Sequence, residues 1–165
     1  MKQLFVTLLT LGNLIVNAQS TPLQYEVACW QGNKAAAVSI TFDDCMPSQF
    51  EHAIPVLDDA SRKIRATFFL TGKSIPANTR SVIQAYETGH EIANHSFTHP
   101  SKMADLAATE IDAELKSCQD ATHHLFNKTV SFTMAYPNGS GQDTAAKDLV
   151  VRKILRKYFI GARAT

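Results

Sequence analysis

The sequence predicts an α/β fold of parallel strands with outer helices, and three observations carry that expectation. Short apolar or β-branched runs alternate with helically spaced segments along the 165 residues. No internal repeat or low-complexity linker breaks the order. Three of the runs end in polar or turn-forming residues, as parallel strands do where their C-terminal ends share a face and build a site. The length suits one ordinary domain, and a hydrophobic content of 45% suits a buried core.

The first segment stands apart from that domain. Lys2 precedes an apolar run from Leu4 to Val16, followed by Val16-Asn17-Ala18. A positive start, a short apolar stretch and a small-x-small ending read as a secretory signal peptide over residues 1–18, cut after Ala18. A secreted or periplasmic protein is expected. The run falls short of the roughly 20 residues that span a bilayer, and Gly12 and Asn13 break it, so no stable membrane span is expected after cleavage. Residues 19–34, with Pro22, Gly32 and Asn33, form a lead-in, and residues 35–165 the domain.

Within the domain, residues 35–42 read as a buried strand delivering Asp43 and Asp44. Residues 48–60 read as a helix opened by Ser48, with Pro55 forcing a kink or a late start. Residues 66–71 form a strand stopped by Gly72, residues 78–88 a helix with Gly89 as its cap, and residues 90–94 a short strand. Pro100 prevents any continuation of that strand. Residues 105–126 give the clearest helical spacing, residues 130–136 a strand closed by Pro137-Asn138-Gly139, residues 143–157 a helix and residues 158–162 a last strand. The order fits an open doubly wound sheet or a barrel. Five strands cannot close an eight-stranded barrel of about 250 residues. The N-terminal portion of a longer domain is therefore expected, with a natural five-stranded open sheet as the alternative.

Charge and cysteine usage narrow the function classes. Loss of Lys2 with the leader leaves 15 basic and 15 acidic side chains, with no basic patch to hold nucleic acid. Cys29, Cys45 and Cys118 allow one disulfide and one free thiol, and their spacing is that of neither a zinc ribbon nor a redox pair. Cys45, beside Asp44, is expected to be packed or disulfide-bonded and not nucleophilic.

The strand ends supply the chemistry. Asp44, His95 and His99 offer one carboxylate and two imidazoles, a catalytic ligand set for zinc that keeps a position open. Such a metal lowers the pKa of its water toward about 7 and polarises a carbonyl. Adjacent strand side chains point to opposite faces, so Asp43 is not equivalent to Asp44 and is the expected general base. The second acidic pair, Asp58-Asp59, is assigned to an exposed helix end.

Thr41-Phe42-Asp43-Asp44, His95-Ser96-Phe97-Thr98-His99 with its approach Gly89 to Asn94, and the Tyr136-Pro137-Asn138-Gly139 turn resemble the polysaccharide deacetylase family, the NodB homology domain of carbohydrate esterase family 4. The resemblance implies a distorted, here incomplete, (β/α) barrel. It further implies zinc or a similar divalent ion, and removal of acetyl groups from N-acetylated sugars in chitin or peptidoglycan, or from xylan. Residue by residue, Asp43 matches the base, and Asp44, His95 and His99 the metal ligands. Tyr136, Pro137, Asn138 and Gly139 match the substrate and oxyanion turn. The common third motif is Arg-x-Pro-Tyr-Gly; here Ala135 stands where the arginine that steadies the base is usual, and Asn138 where the tyrosine is. The family's later motifs, an aspartate and tryptophan pair and an acidic histidine, have no counterpart before Thr165. His52, His90, His123 and His124 are expected at the surface or in packing. The activity expected is attack on an acetyl carbonyl by a metal-bound water that Asp43 activates. A catalytically silent glycan-binding domain is the alternative, and a hydrolase of another amide bond a third.

Overall fold

The structure is a computed structural model that describes residue 30 and residues 32–139 and 145–164. The leader, Cys29 and most of the lead-in lie outside the described residues, as do the first two residues of the helix expected from position 143. Residues 32–37 are exposed and carry neither helix nor strand. Val38–Thr165 forms one compact unit.

That unit holds five short strands, β1 (Thr41–Asp43), β2 (Thr67–Leu70), β3 (Glu91–Asn94), β4 (Thr133–Ala135) and β5 (Gly161–Arg163). All neighbours pair in parallel, in the order β1-β2-β3-β4-β5. An order without reversal decides between the two expected architectures. Crossovers that all turn the same way lay every helix on one face of the sheet, which is barrel winding; a doubly wound sheet changes direction at a switch point. The sheet curls into half a barrel. Laid flat, five strands would hold β1 and β5 about 19 Å apart at about 4.8 Å each, yet side chains of these two edge strands touch.

Alternation along the strands sorts residues between the faces. Phe68, Leu70 and Ile92 pack outward, with Phe50, Ile54, Leu57, Val82 and Ala85, into one core cluster. Met134 joins a second cluster with Ile111, Leu115, Val151, Ile154 and Leu155. Phe69, Ala93 and Ala135, one residue out of step, form a small inner cluster on the concave face. Phe68 is fully buried between Phe42 and Phe50, at ring separations of 5.0 and 5.5 Å. Such a side chain contributes about 2–3 kcal/mol through burial.

Several expected boundaries move, each for a local reason. The strand of residues 35–42 is only Thr41–Asp43 and is half-buried, because among the described residues β1 has a single partner and residues 35–39 are exposed. The helix over residues 48–60 becomes a π-helical turn, Gln49–Ala53, running into the short α1 (Ile54–Leu57), with Pro55 in its first turn. Proline tolerates a helix start but not an interior. The helix expected at residue 78 begins earlier, as α2 (Ile75–Glu87), again with a proline, Pro76, in the first turn. Gly89 follows it at φ +96°, where a side chain would be strained. The clearest helix is α3 (Ala108–Phe126), whose Glu110 carboxylate accepts from the Ala107 amide at 2.8 Å. It ends on left-handed Asn127. α4 (Ala145–Leu155) leads to β5, which starts three residues later than its apolar run suggested. Among the described residues, no helix is long and apolar enough to cross a membrane.

Candidate active site

β1 ends at Asp43, and the chain turns through Asp44 and Cys45 with φ of +79° and +64°. Non-glycine residues hold such angles at a cost of about 1 kcal/mol or more each. Side chains from two elements brace the turn: Asn78 Nδ2 donates to the Cys45 carbonyl at 3.2 Å, and Gln49 Nε2 to the Asp43 carbonyl. The turn breaks strand alternation, so the two carboxylates diverge without facing opposite sides of the sheet. Asp44 reaches toward β3, while Asp43 lies over the concave face.

The end of β3 brings two imidazoles to Asp44. His95 Nε2 and His99 Nε2 stand 3.3 and 3.2 Å from the same oxygen, Asp44 Oδ1. One donor atom from each of the three residues lies within 4.8 Å of the others. His95 Nδ1 donates to the Ala135 carbonyl at 2.9 Å, which leaves the Nε2 lone pair facing the cluster. Burial lowers the His95 pKa, against the opposing pull of the Ala135 bond and the Asp43 and Asp44 charges. A neutral imidazole is the ligating form. Two imidazole nitrogens and a carboxylate oxygen gathered this closely fit a divalent cation such as zinc.

The loop between these histidines is held from several sides. Ser96 and His99 both have positive φ, +63° and +62°. Glu114, on α3, accepts from the amides of Phe97 and Thr98 at 2.9 and 2.8 Å and from Thr98 Oγ1 at 2.6 Å. Asn94 accepts from Ser96 N at 2.8 Å and donates to the Leu115 carbonyl at 3.1 Å. Gly72 and Lys73 amides donate to the Ser96 and Phe97 carbonyls, both at 3.0 Å, extending the β2–β3 ladder into the loop. A Cβ at Gly72 would lie 2.5 Å from the Phe97 ring, so this approach requires glycine.

The expected substrate turn is present at the end of β4, but its four residues are not equivalent. The Tyr136 ring is buried in the outer core cluster, away from the concave face, and its amide donates to the Arg163 carbonyl at 2.9 Å. Pro137 has no N–H, and the Gly139 amide closes the turn on the Tyr136 carbonyl at 3.2 Å. Asn138, left-handed at φ +53°, has the one amide of the turn that finds no partner among the described residues.

Arg163, at the end of β5, was not singled out by the sequence reading. Its guanidinium donates from one nitrogen to Asp43 Oδ1 at 2.6 Å and Oδ2 at 2.8 Å. It also lies 4.9 Å from the centre of the Phe69 ring. The motif position on β4 is indeed alanine, yet the base candidate is not left without an arginine. A lone arginine directly after a short apolar run carries no spacing signal, and only sheet curvature brings it to β1.

The remaining candidates lie in packing or at the surface. Cys45 and Cys118 are buried free thiols, each pushed up to about 12 by burial, which opposes a nucleophilic role. His52, His123 and His124 are exposed. His90 is buried: its Nδ1 accepts from the Ala66 amide at 3.1 Å, and its Nε2 lies 3.3 Å from Asp58. Asp59 is exposed as expected, but Asp58 is only partly so, held by Arg65 at 2.6 Å.

Comparison with known proteins gives the same family and fold. The sequence model of the polysaccharide deacetylase family matches residues 31–154. A peptidoglycan-N-acetylglucosamine deacetylase of Listeria monocytogenes is 30% identical over 115 residues, covering 68% of this chain and 23% of its own length. The family 4 carbohydrate esterase of Streptomyces lividans, solved with acetate, superposes with a TM-score of 0.63 at 28% identity, over 76% of this chain and 60% of that one. A family 4 pseudoenzyme from Bacillus anthracis superposes with a TM-score of 0.62 at 25% identity, over 75% of this chain and 41% of that one. The chain thus spans less than a quarter of the Listeria relative's length. Since the fold accommodates both an esterase and a pseudoenzyme, activity has to be argued from residues. By its sequence and its half-barrel alike, this chain belongs to the polysaccharide deacetylase family.

Proposed function

We propose that this chain is the metal-dependent hydrolytic domain of a protein that removes acetyl groups from an acetylated polysaccharide of the chitin, peptidoglycan or xylan type. The observation that carries the reading is the convergence of Asp44, His95 and His99 at the strand ends, beside an Asp43 that is not used as a ligand in the same cluster. Zinc suits this donor set, and when bound it would acidify a water and polarise the acetyl carbonyl. The protein's own part is positional. His95 and His99 present Nε2 atoms fixed by the Ala135 bond and the Glu114-held loop. Asp43, as general base, takes the proton of the attacking water. The Asn138 amide is available to the oxyanion that forms as the carbonyl becomes tetrahedral. The Lys2 to Ala18 leader pattern supports export to where such polymers lie.

Acetate release from chitooligosaccharides, acetylated xylan and peptidoglycan, measured alongside zinc content, tests the proposal. Zinc-dependent release from at least one polymer is expected, with Asp44→Ala and His95→Ala each losing stoichiometric metal and release together. Metal retained in both variants would remove the ligand assignment. A zinc-loaded protein that binds glycan without releasing acetate would overturn the hydrolase.

A further inference from the structure

We infer that Arg163 is the positioning residue for Asp43, a task assigned in this chain to β5 because β4 carries alanine at the corresponding strand end. The inference rests on the deacetylase reading for its catalytic meaning and on geometry for the contact itself. Both Asp43 oxygens accept from one Arg163 nitrogen, so the carboxylate is fixed in orientation as well as in charge. The guanidinium is in turn located by the Phe69 ring at 4.9 Å. Phe69 is the β1–β2 register partner of Asp43, and Arg163 that of Ala135. The arginine therefore crosses a concave floor made of Ala135, Ala93 and Phe69, whose two alanines leave its path clear. A larger side chain at either alanine would occupy that path.

The arrangement does more than join two edges. Asp43 adjoins Asp44, and two neighbouring carboxylates repel each other's charge. The Arg163 cation, paired with Asp43, offsets that repulsion without bonding to the Asp44 oxygen that both imidazoles approach. The ion pair is only part-buried, with about a third of each side chain exposed, so its contribution to stability is small. Its value lies in aim. A base displaced by a fraction of an ångström loses rate far more readily than the fold loses stability.

The test compares wild type, Arg163→Met, Arg163→Lys and the double variant Ala135→Arg/Arg163→Met, which returns the cation to β4. Zinc stoichiometry, kcat and KM for acetate release, and the unfolding midpoint are measured for each. The expected result is one zinc in every variant and KM within about threefold of wild type. kcat should fall about 10- to 100-fold in Arg163→Met, with partial recovery in Arg163→Lys and in the double variant. A purely structural strap would lower the midpoint and leave kcat within about threefold, which overturns the inference. Loss of kcat that tracks loss of zinc overturns it as well. If wild type releases no acetate from any polymer, the deacetylase reading fails by itself. The contact is then judged by the midpoints alone: Arg163→Met should shift the wild-type midpoint and leave that of Asp43→Asn unchanged, and equal shifts in both backgrounds overturn it.

Discussion

The two halves of the site are held in opposite ways. The histidine half sits on a loop fastened by Glu114, Asn94 and the Gly72–Lys73 backbone, all from elements packed directly against it. The aspartate half hangs on an edge strand of three residues, with Gln49 on its carbonyl and Arg163 reaching in from the opposite edge. On the proposed function, metal retention draws on both halves, through His95 and His99 and through Asp44, whereas proton transfer rests on Asp43 at the rim alone. The difference teaches that the two should be separable by mutation.

The sharpest way to break the comparison is at Asp43. Asp43→Asn is isosteric and lies outside the ligand cluster, so metal content should stay at the wild-type level while kcat falls about 10²- to 10⁴-fold. Loss of metal in this variant would mean that the halves are not independent. Next in size is Glu114→Ala, which removes three acceptor contacts from the histidine loop without touching a ligand. Metal affinity should drop about 10- to 100-fold by titration, and stability by about 2 kcal/mol in chemical unfolding. Gly72→Ala presses on the same loop through Phe97. About 1–3 kcal/mol of destabilisation is expected, with a smaller loss of metal affinity, by the same two measurements.

The smallest effect concerns pH, away from the site. Burial lowers the His90 pKa, the Asp58 charge opposing and the Arg65 charge reinforcing that shift. The unfolded chain therefore takes up this proton first. The stability contribution is present above the unfolded value near 6.5 and is lost as pH falls toward the lower folded value. In metal-free protein the unfolding midpoint should decline from pH 7 to pH 5, and His90→Gln should flatten that decline. An unchanged slope would remove His90 as its source.

Much of this organisation is legible in the sequence because it is local. Strand ends marked by Asp43-Asp44, by His95 to His99 and by Pro137-Asn138-Gly139 are short-range patterns, and the structure brings the first two together at the expected cluster. Parallel order follows from alternation of runs, and barrel winding from the unreversed strand order. What escaped is what depends on curvature or on a neighbour's demand. The apolar run at residues 35–40 resembles a strand, but its edge position gives it no second partner among the described residues. Pro55 and Pro76 mark helix starts only once the preceding turns are known. Tyr136 belongs to a motif by position, yet alternation buries its ring on the outer face. Arg163 lies 120 residues from the group it serves, and no spacing rule reaches that far.

That separation also sets an order of assembly. Asp44, His95 and His99 lie within one stretch of 56 residues and are joined through β2, whereas the Asp43–Arg163 contact closes nearly the whole described domain. Loop-closure entropy grows with the length enclosed, and contacts of high sequence separation form late in folding. A growing or refolding chain thus acquires the ability to hold a cation before β5 docks and Asp43 is set. On the proposed function, docking of β5 is then the step that aims the base, after the cation site has formed.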